Sequence, residues 1–138
     1  MSRPPDRSVL APLVLHLSQI EALDATARDI QRANPAVPRV STAWALSELL
    51  TRGCQELESL LAGSALAPLR APSPPRGAPP RKAPATGEYR RLSPVTMDHA
   101  LVRRVKALTP RVARALKRRV ALATVIREAL LLGYAARE

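Results

Sequence analysis

Phenylalanine is absent from this sequence, and Trp44, Tyr89 and Tyr134 are its only large aromatic residues. A core must therefore be assembled from Ala, Leu and Val, and it must be thin. Small helical units that complete a core by pairing suit such a composition better than one large globule. Cys54 is the lone cysteine, so no internal disulfide can form, and no Cys/His cluster has metal-ligand spacing. Both points fit a reducing compartment. No apolar run approaches transmembrane length. The short run Val9–Leu17 follows arginines, but Pro12 interrupts it, Asp6 precedes it, and no small-residue cleavage site follows. It reads as structure rather than as a secretory signal. There is no Gly-rich phosphate loop, paired-carboxylate motif or nucleophile elbow. His16 and His99 lack Ser, Cys or carboxylate partners at recognisable spacing. The expectation is a protein that is not an enzyme and uses no cofactor.

What the chain does have is positive charge, a net +11 over 138 residues. Its distribution is uneven. Residues 1–63 hold six Lys/Arg against seven Asp/Glu, whereas residues 64–138 hold sixteen against four. A polyanion is the expected partner of the second part, because neutralising phosphates releases counterions. The composition also shifts between Ala62 and Gly87. The run Ala67–Pro84 is rich in proline and carries Arg70, Arg76, Arg81 and Lys82. Frequent proline removes backbone donors and opposes helix, which predicts an extended, semi-rigid linker. Three segments result: a near-neutral half over 1–63, a Pro/Arg-rich flexible linker over 64–88, and a strongly basic half over 89–138.

Each half begins with a short extended apolar stretch, continues into a helix, breaks, and ends in a longer amphipathic helix. In the first half Leu13–Leu17 is extended, Ser18 is the expected N-cap, and Gln19–Ala33 forms a helix ended by Asn34-Pro35. The next helix opens at Ser41 or Thr42 and runs to about Leu61. Gly53 lies within it at a cost of about 1 kcal/mol relative to Ala, unless the regular helix ends there. In the second half Val95–Met97 is extended and Asp98 is the N-cap. Thr109-Pro110 then makes a stop or a fresh helix start, and a basic segment leads into a last helix, Val120–Arg137. A shift of 80 positions lays Val40 on Val120, Leu46 on Ile126, Glu48 on Glu128, Leu50 on Leu130 and Gly53 on Gly133. It also lays Leu17-Ser18 on Met97-Asp98, which points to an internal repeat.

The strand followed by a capped helix with Ile20-Glu21-Ala22-Leu23-Asp24, the opening Val40-Ser41-Thr42, and above all Ile126-Arg127-Glu128-Ala129-Leu130 followed by Gly133 resemble the MetJ/Arc-like ribbon-helix-helix family. The resemblance covers residues 13–61 and 92–136. It implies a mainly α fold of two β-α-α halves that pair through a two-stranded antiparallel ribbon. It also implies double-stranded DNA as partner, with the ribbon in the major groove and the second helix's N-terminus at a phosphate. Carried over by position, Val14, His16, Thr96 and the nearby Arg90 are the base-reading candidates. Ser41 and Thr42 are the phosphate anchors of the first half. Ala121-Leu122 stands where Ser41-Thr42 would, so Lys117, Arg118 and Arg119 are expected to take that role in the second. Arg103, Arg104, Lys106, Arg111 and Arg114 extend the cationic region. Pro94 has no amide hydrogen and must lie at a strand's start or edge.

The expected function is that of a cytoplasmic, nucleoid-associated, sequence-specific DNA-binding protein, a repressor or a plasmid- or phage-type site-binding accessory. It would need no membrane and would form a homodimer or higher assembly on DNA. Two other readings remain at this point. One is an antitoxin or adaptor whose residues 1–63 dock a protein. The other is an architectural protein that coats DNA without preference.

Overall fold

The computed structural model describes residues 7–10, 13–72, 88–92 and 94–136. The linker reading for residues 73–87 and the last residues of the final helix lie outside them. Among the described residues the chain is mainly helical, with four helices and two small antiparallel sheets. Its elements are β1 (Arg7–Leu10), β2 (Leu13–His16), α1 (Leu17–Ala33), α2 (Thr42–Ala62), β3 (Tyr89–Leu92), β4 (Val95–Asp98), α3 (His99–Leu116) and α4 (Leu122–Ala136).

The strands interleave between the halves. β1 pairs with β4, and β2 pairs with β3, both antiparallel. One register serves both sheets: it steps from Leu10 opposite Val95 to Leu13 opposite Leu92. The intervening dipeptides, Ala11-Pro12 and Ser93-Pro94, each contain a proline, which offers no donor to a ladder. The expected single ribbon is thus two short ribbons, and each half contributes two strands rather than one. β1 and β3 escape sequence reading because Arg-Ser-Val-Leu and Tyr-Arg-Arg-Leu are short and polar. Their partners make them strands. Side-chain alternation also flips across the break, since Leu10 and Leu13, an odd number apart, are both buried.

α1 and α3 follow β2 and β4 without a loop. His16, not Ser18, caps α1: its Nδ1 accepts from the Ser18 amide at 3.1 Å. Asp98 caps α3 as expected, accepting from the Ala100 amide at 2.9 Å. Asn34 ends α1, its amide hydrogen-bonding the Ile30 and Gln31 carbonyls. The expected stop at Thr109-Pro110 does not occur, and α3 runs on to Leu116 with Pro110 inside it. Val112, fully buried, and Leu116, packed against the core, extend the stripe begun by Leu101, Val105 and Leu108. Burying them outweighs the one hydrogen bond that proline forfeits, whose acceptor belongs to the exposed Lys106. Lys117, in the left-handed region at φ 56°, then closes the helix.

α2 and α4 cross at the centre. Ala45, Leu46, Leu49, Leu50, Cys54 and Leu57 meet Val125, Ile126, Ala129 and Leu130 in one continuous core. Gly53 and Gly133 lie at the crossing, so closely set that a Cβ on either would collide with the other helix's backbone. α4 is buried nearly all round. Its Glu128 Oε1 accepts from the amides of Arg70 and Ala71, which fastens the chain beyond α2 to it at 3.0 and 2.9 Å. Arg127, also buried, donates from Nε to the Val14 carbonyl at 2.9 Å and ties α4 to β2. Desolvation pulls its pKa below the usual arginine value.

Two offsets relate the halves. Strands and first helices repeat at 82, so that Pro12 matches Pro94, Leu15 matches Met97 and His16 matches Asp98. The second helices repeat at 80, as Gly53 and Gly133 require. The longer connection Asn34–Ser41, against Lys117–Ala121, absorbs the difference. The match of Leu17-Ser18 to Met97-Asp98 is therefore two residues out of step. Among the described residues no helix is long and apolar enough to cross a membrane.

Candidate nucleic-acid interface

Alternation along the strands sorts their side chains into two faces. Leu10, Leu13, Leu15 and Met97 are buried against the helices, with Leu92 and Val95 packed beside them. The opposite face carries Val14, His16, Tyr89 and Arg91 on β2–β3, and Val9 and Thr96 on β1–β4. Val14 lies across from Arg91, and Thr96 across from Val9, which is 66% exposed. His16 lies across from Tyr89, the rings edge to face at 5.2 Å. The Nδ1 of His16 accepts from the Ser18 amide, which puts the ring hydrogen on Nε2 as a donor.

Of the four base-reading candidates, Val14, His16 and Thr96 share this outer face. Arg90 does not. It lies across from Leu15, on the helix side, where it lines a cleft of about 300 Å³ with Asp24, Ala27, Arg39 and Thr42. Its neighbour Arg91 has the outward position. A one-residue difference along a strand exchanges faces, and the sequence alone offered no pairing partner to fix the parity.

The start of α2 comes up against the ribbon. Ser41 Oγ accepts from the Trp44 amide at 3.1 Å, satisfying one free donor of the first turn. Ser41, Thr42 and Ala43 line a recess of about 430 Å³ with Leu92, Pro94, Val95 and Thr96. Two of the phosphate candidates and one base-reading candidate therefore meet at one place. The unspent amides of a helix start, with the macrodipole behind them, favour an anion there. Arg39, on the cleft shared with Thr42 and Arg90, adds charge beside it. Arg39 was not singled out from the sequence, although the shift of 80 lays it on Arg119.

The remaining cations divide. Arg103, Lys106, Arg111 and Arg114 are exposed along α3. Arg104 is engaged: its Nε and Nη2 hold the Glu58 carboxylate at 2.9 and 2.5 Å, joining α3 to α2. That hydrogen bond holds the Glu58 carboxyl below its usual range. Lys117, Arg118 and Arg119 form an exposed run that ends two residues before α4, with Arg118 and Arg119 at the positions that Pro38 and Arg39 occupy before α2 at the offset of 80. No side-chain cap opens α4, whose first turn begins with the Val125 amide bonding the Ala121 carbonyl at 3.2 Å. Trp44 is half-buried and lines a separate cleft with Thr26, Asp29, Ile30, Asn34 and Glu48.

No family model, no curated protein and no solved structure matches this chain, so its own geometry carries the functional reading.

Proposed function

We propose that the chain is a sequence-specific double-stranded DNA-binding protein of the ribbon-helix-helix kind, acting as a repressor or as a plasmid- or phage-type site-binding accessory. One observation carries the reading: the polar start of α2, Ser41–Ala43, meets the paired strands at a recess that Leu92, Pro94, Val95 and the outward-facing Thr96 complete. A two-stranded ribbon fits a major groove, where Thr96, His16 and Arg91 would meet base edges. Ser41 and Thr42 would hold a phosphate beside it through amide and hydroxyl donors. Lys117–Arg119 would do the same by charge at the start of α4, and the cations of α3 would add non-specific affinity.

The interleaved pairing speaks against an adaptor with an independent basic half. Without residues 1–63, β3 and β4 lose both partners, and α4 loses the helix it crosses. The test is a mobility shift of the purified chain on its own upstream region and on a scrambled duplex. Preferential, salt-sensitive retardation of the native fragment supports the reading. Equal retardation of both points to a general DNA-coating protein, and no retardation at low salt defeats the reading.

A further inference from the structure

The two halves share a backbone plan, yet at each equivalent outer position their side chains differ in kind. At the offset of 82, Val9 corresponds to Arg91, Val14 to Thr96 and His16 to Asp98. Interleaving then sorts these differences by sheet. The β2–β3 sheet presents Val14, His16, Tyr89 and Arg91, with one guanidinium and a pair of polar rings. The β1–β4 sheet presents Val9, Thr96 and Asp98. The flanking helix starts differ as well: Ser41 caps α2, whereas α4 follows Lys117–Arg119 without a side-chain cap.

A symmetric pair of strands meets a palindrome, because the DNA two-fold mirrors the protein's. Here the backbone keeps the two-fold and the side chains break it. Resting on the DNA-binding reading above, we infer that this chain recognises a non-palindromic site and docks on it in one orientation. The arm under β2–β3 contains a guanine read by Arg91, and the arm under β1–β4 is rich in thymine.

The chemistry assigns the arms. A guanidinium matches the O6 and N7 acceptors of guanine, and no other base pair offers that pair of acceptors. An apolar Val9 beside the Thr96 methyl and hydroxyl suits the thymine methyl and O4. Asp98 disfavours close phosphate approach at its end, and its Oδ1 already caps α3.

The experiment selects bound duplexes from a random pool with the full-length chain. Affinity is then measured for the recovered site and for two symmetrised versions, each built from one arm and its inverted copy. The expected consensus is asymmetric: the duplex symmetrised on the thymine arm should bind about tenfold more weakly, as one lost bidentate contact implies, and the duplex symmetrised on the guanine arm should also bind more weakly, by a smaller factor, as it loses the Val9 and Thr96 contacts. Arg91→Ala should relax preference in the guanine arm alone, and Thr96→Ala in the other arm alone. A palindromic consensus, or either variant relaxing both arms equally, overturns the asymmetry while leaving site-specific binding intact. A pool retained without enrichment, or not retained at all, overturns the DNA-reading proposal and this inference with it.

Discussion

Replacing Gly53 by alanine tests the packing on which the two-fold depends. A Cβ there would stand 1.8 Å from the Ala129 carbonyl oxygen, and the equivalent atom on Gly133 would stand 2.2 Å from that of Leu49. Ordinary contact begins at 3.4 Å, and the obstacle is backbone, so no side chain can swing aside. The helices must part by well over an ångström. In a solitary helix the substitution would stabilise by about 1 kcal/mol. At this crossing the overpacking costs about 1–3 kcal/mol. Separation also loosens Leu46, Leu49, Ile126 and Leu130, all at most 2% exposed. The net expectation is a loss of about 2–3 kcal/mol. With a urea slope of about 1–3 kcal/mol per molar, the unfolding midpoint followed by circular dichroism should fall by about 1 M or more. Gly63→Ala is the control: its Cβ would lie 3.5 Å from the Ser59 carbonyl oxygen, at an ordinary φ of −87°. An unchanged midpoint for Gly53→Ala, or an equal loss at Gly63, would refute the crossing.

Three further expectations concern side chains. Arg118→Ala with Arg119→Ala should weaken binding on every duplex and flatten the slope of log affinity against log salt by about 1.8, at about 0.9 per phosphate released; an unchanged slope means these residues touch no phosphate. Glu58, hydrogen-bonded by Arg104 and held below 4.5, contributes stability that is present above that value and lost as pH falls through its folded pKa. With side chains about a third exposed the contribution is about 1 kcal/mol or less. Unfolding midpoints measured from pH 6 to 3 should lose this increment in the native chain but not in Glu58→Gln, and parallel curves would count against the pair. Burial pushes the Cys54 thiol up to about 11, chiefly by desolvation. A disulfide reagent at pH 8 should therefore leave the folded chain unlabelled and react once urea is added, whereas prompt labelling of the folded chain would contradict its burial.

Much of the helical plan was legible because it is written locally. The Ser41 and Asp98 caps, the Asn34-Pro35 stop and the leucine stripe of α2 each need only a few neighbouring residues. One error is local, since His16 rather than Ser18 caps α1; the others fall where distant residues decide. β1 and β3 exist through β4 and β2, and which of Arg90 and Arg91 faces outward is a matter of pairing parity. α3 passes Pro110 because Val112 and Leu116 have a core to reach. The single shift of 80 found the helix crossing correctly and misplaced the strands by two residues, since a loop, not an element, carries the difference. Arg39 was within reach of the same comparison, because Arg119 was already a candidate.

Joining the halves in one chain changes what holds them together. Two separate chains, each carrying one half, would pair by mass action, and a hundredfold dilution would cost about 2.7 kcal/mol of apparent stability. For a fold of this size that corresponds to roughly ten degrees in unfolding midpoint. Here β1 finds β4, and α2 finds α4, within the same molecule. The thermal midpoint should therefore stay constant between about 1 and 100 µM protein. A midpoint that climbs with concentration would mean that strands are exchanged between chains, and pairing within one molecule would be refuted. Intrachain pairing also frees the two outer faces to diverge, because no copy of a strand has to meet itself. The contrast of Val9 with Arg91 and of Val14 with Thr96 is available only to a fused pair, so concentration-independent folding is the physical precondition for reading a site with two unlike arms.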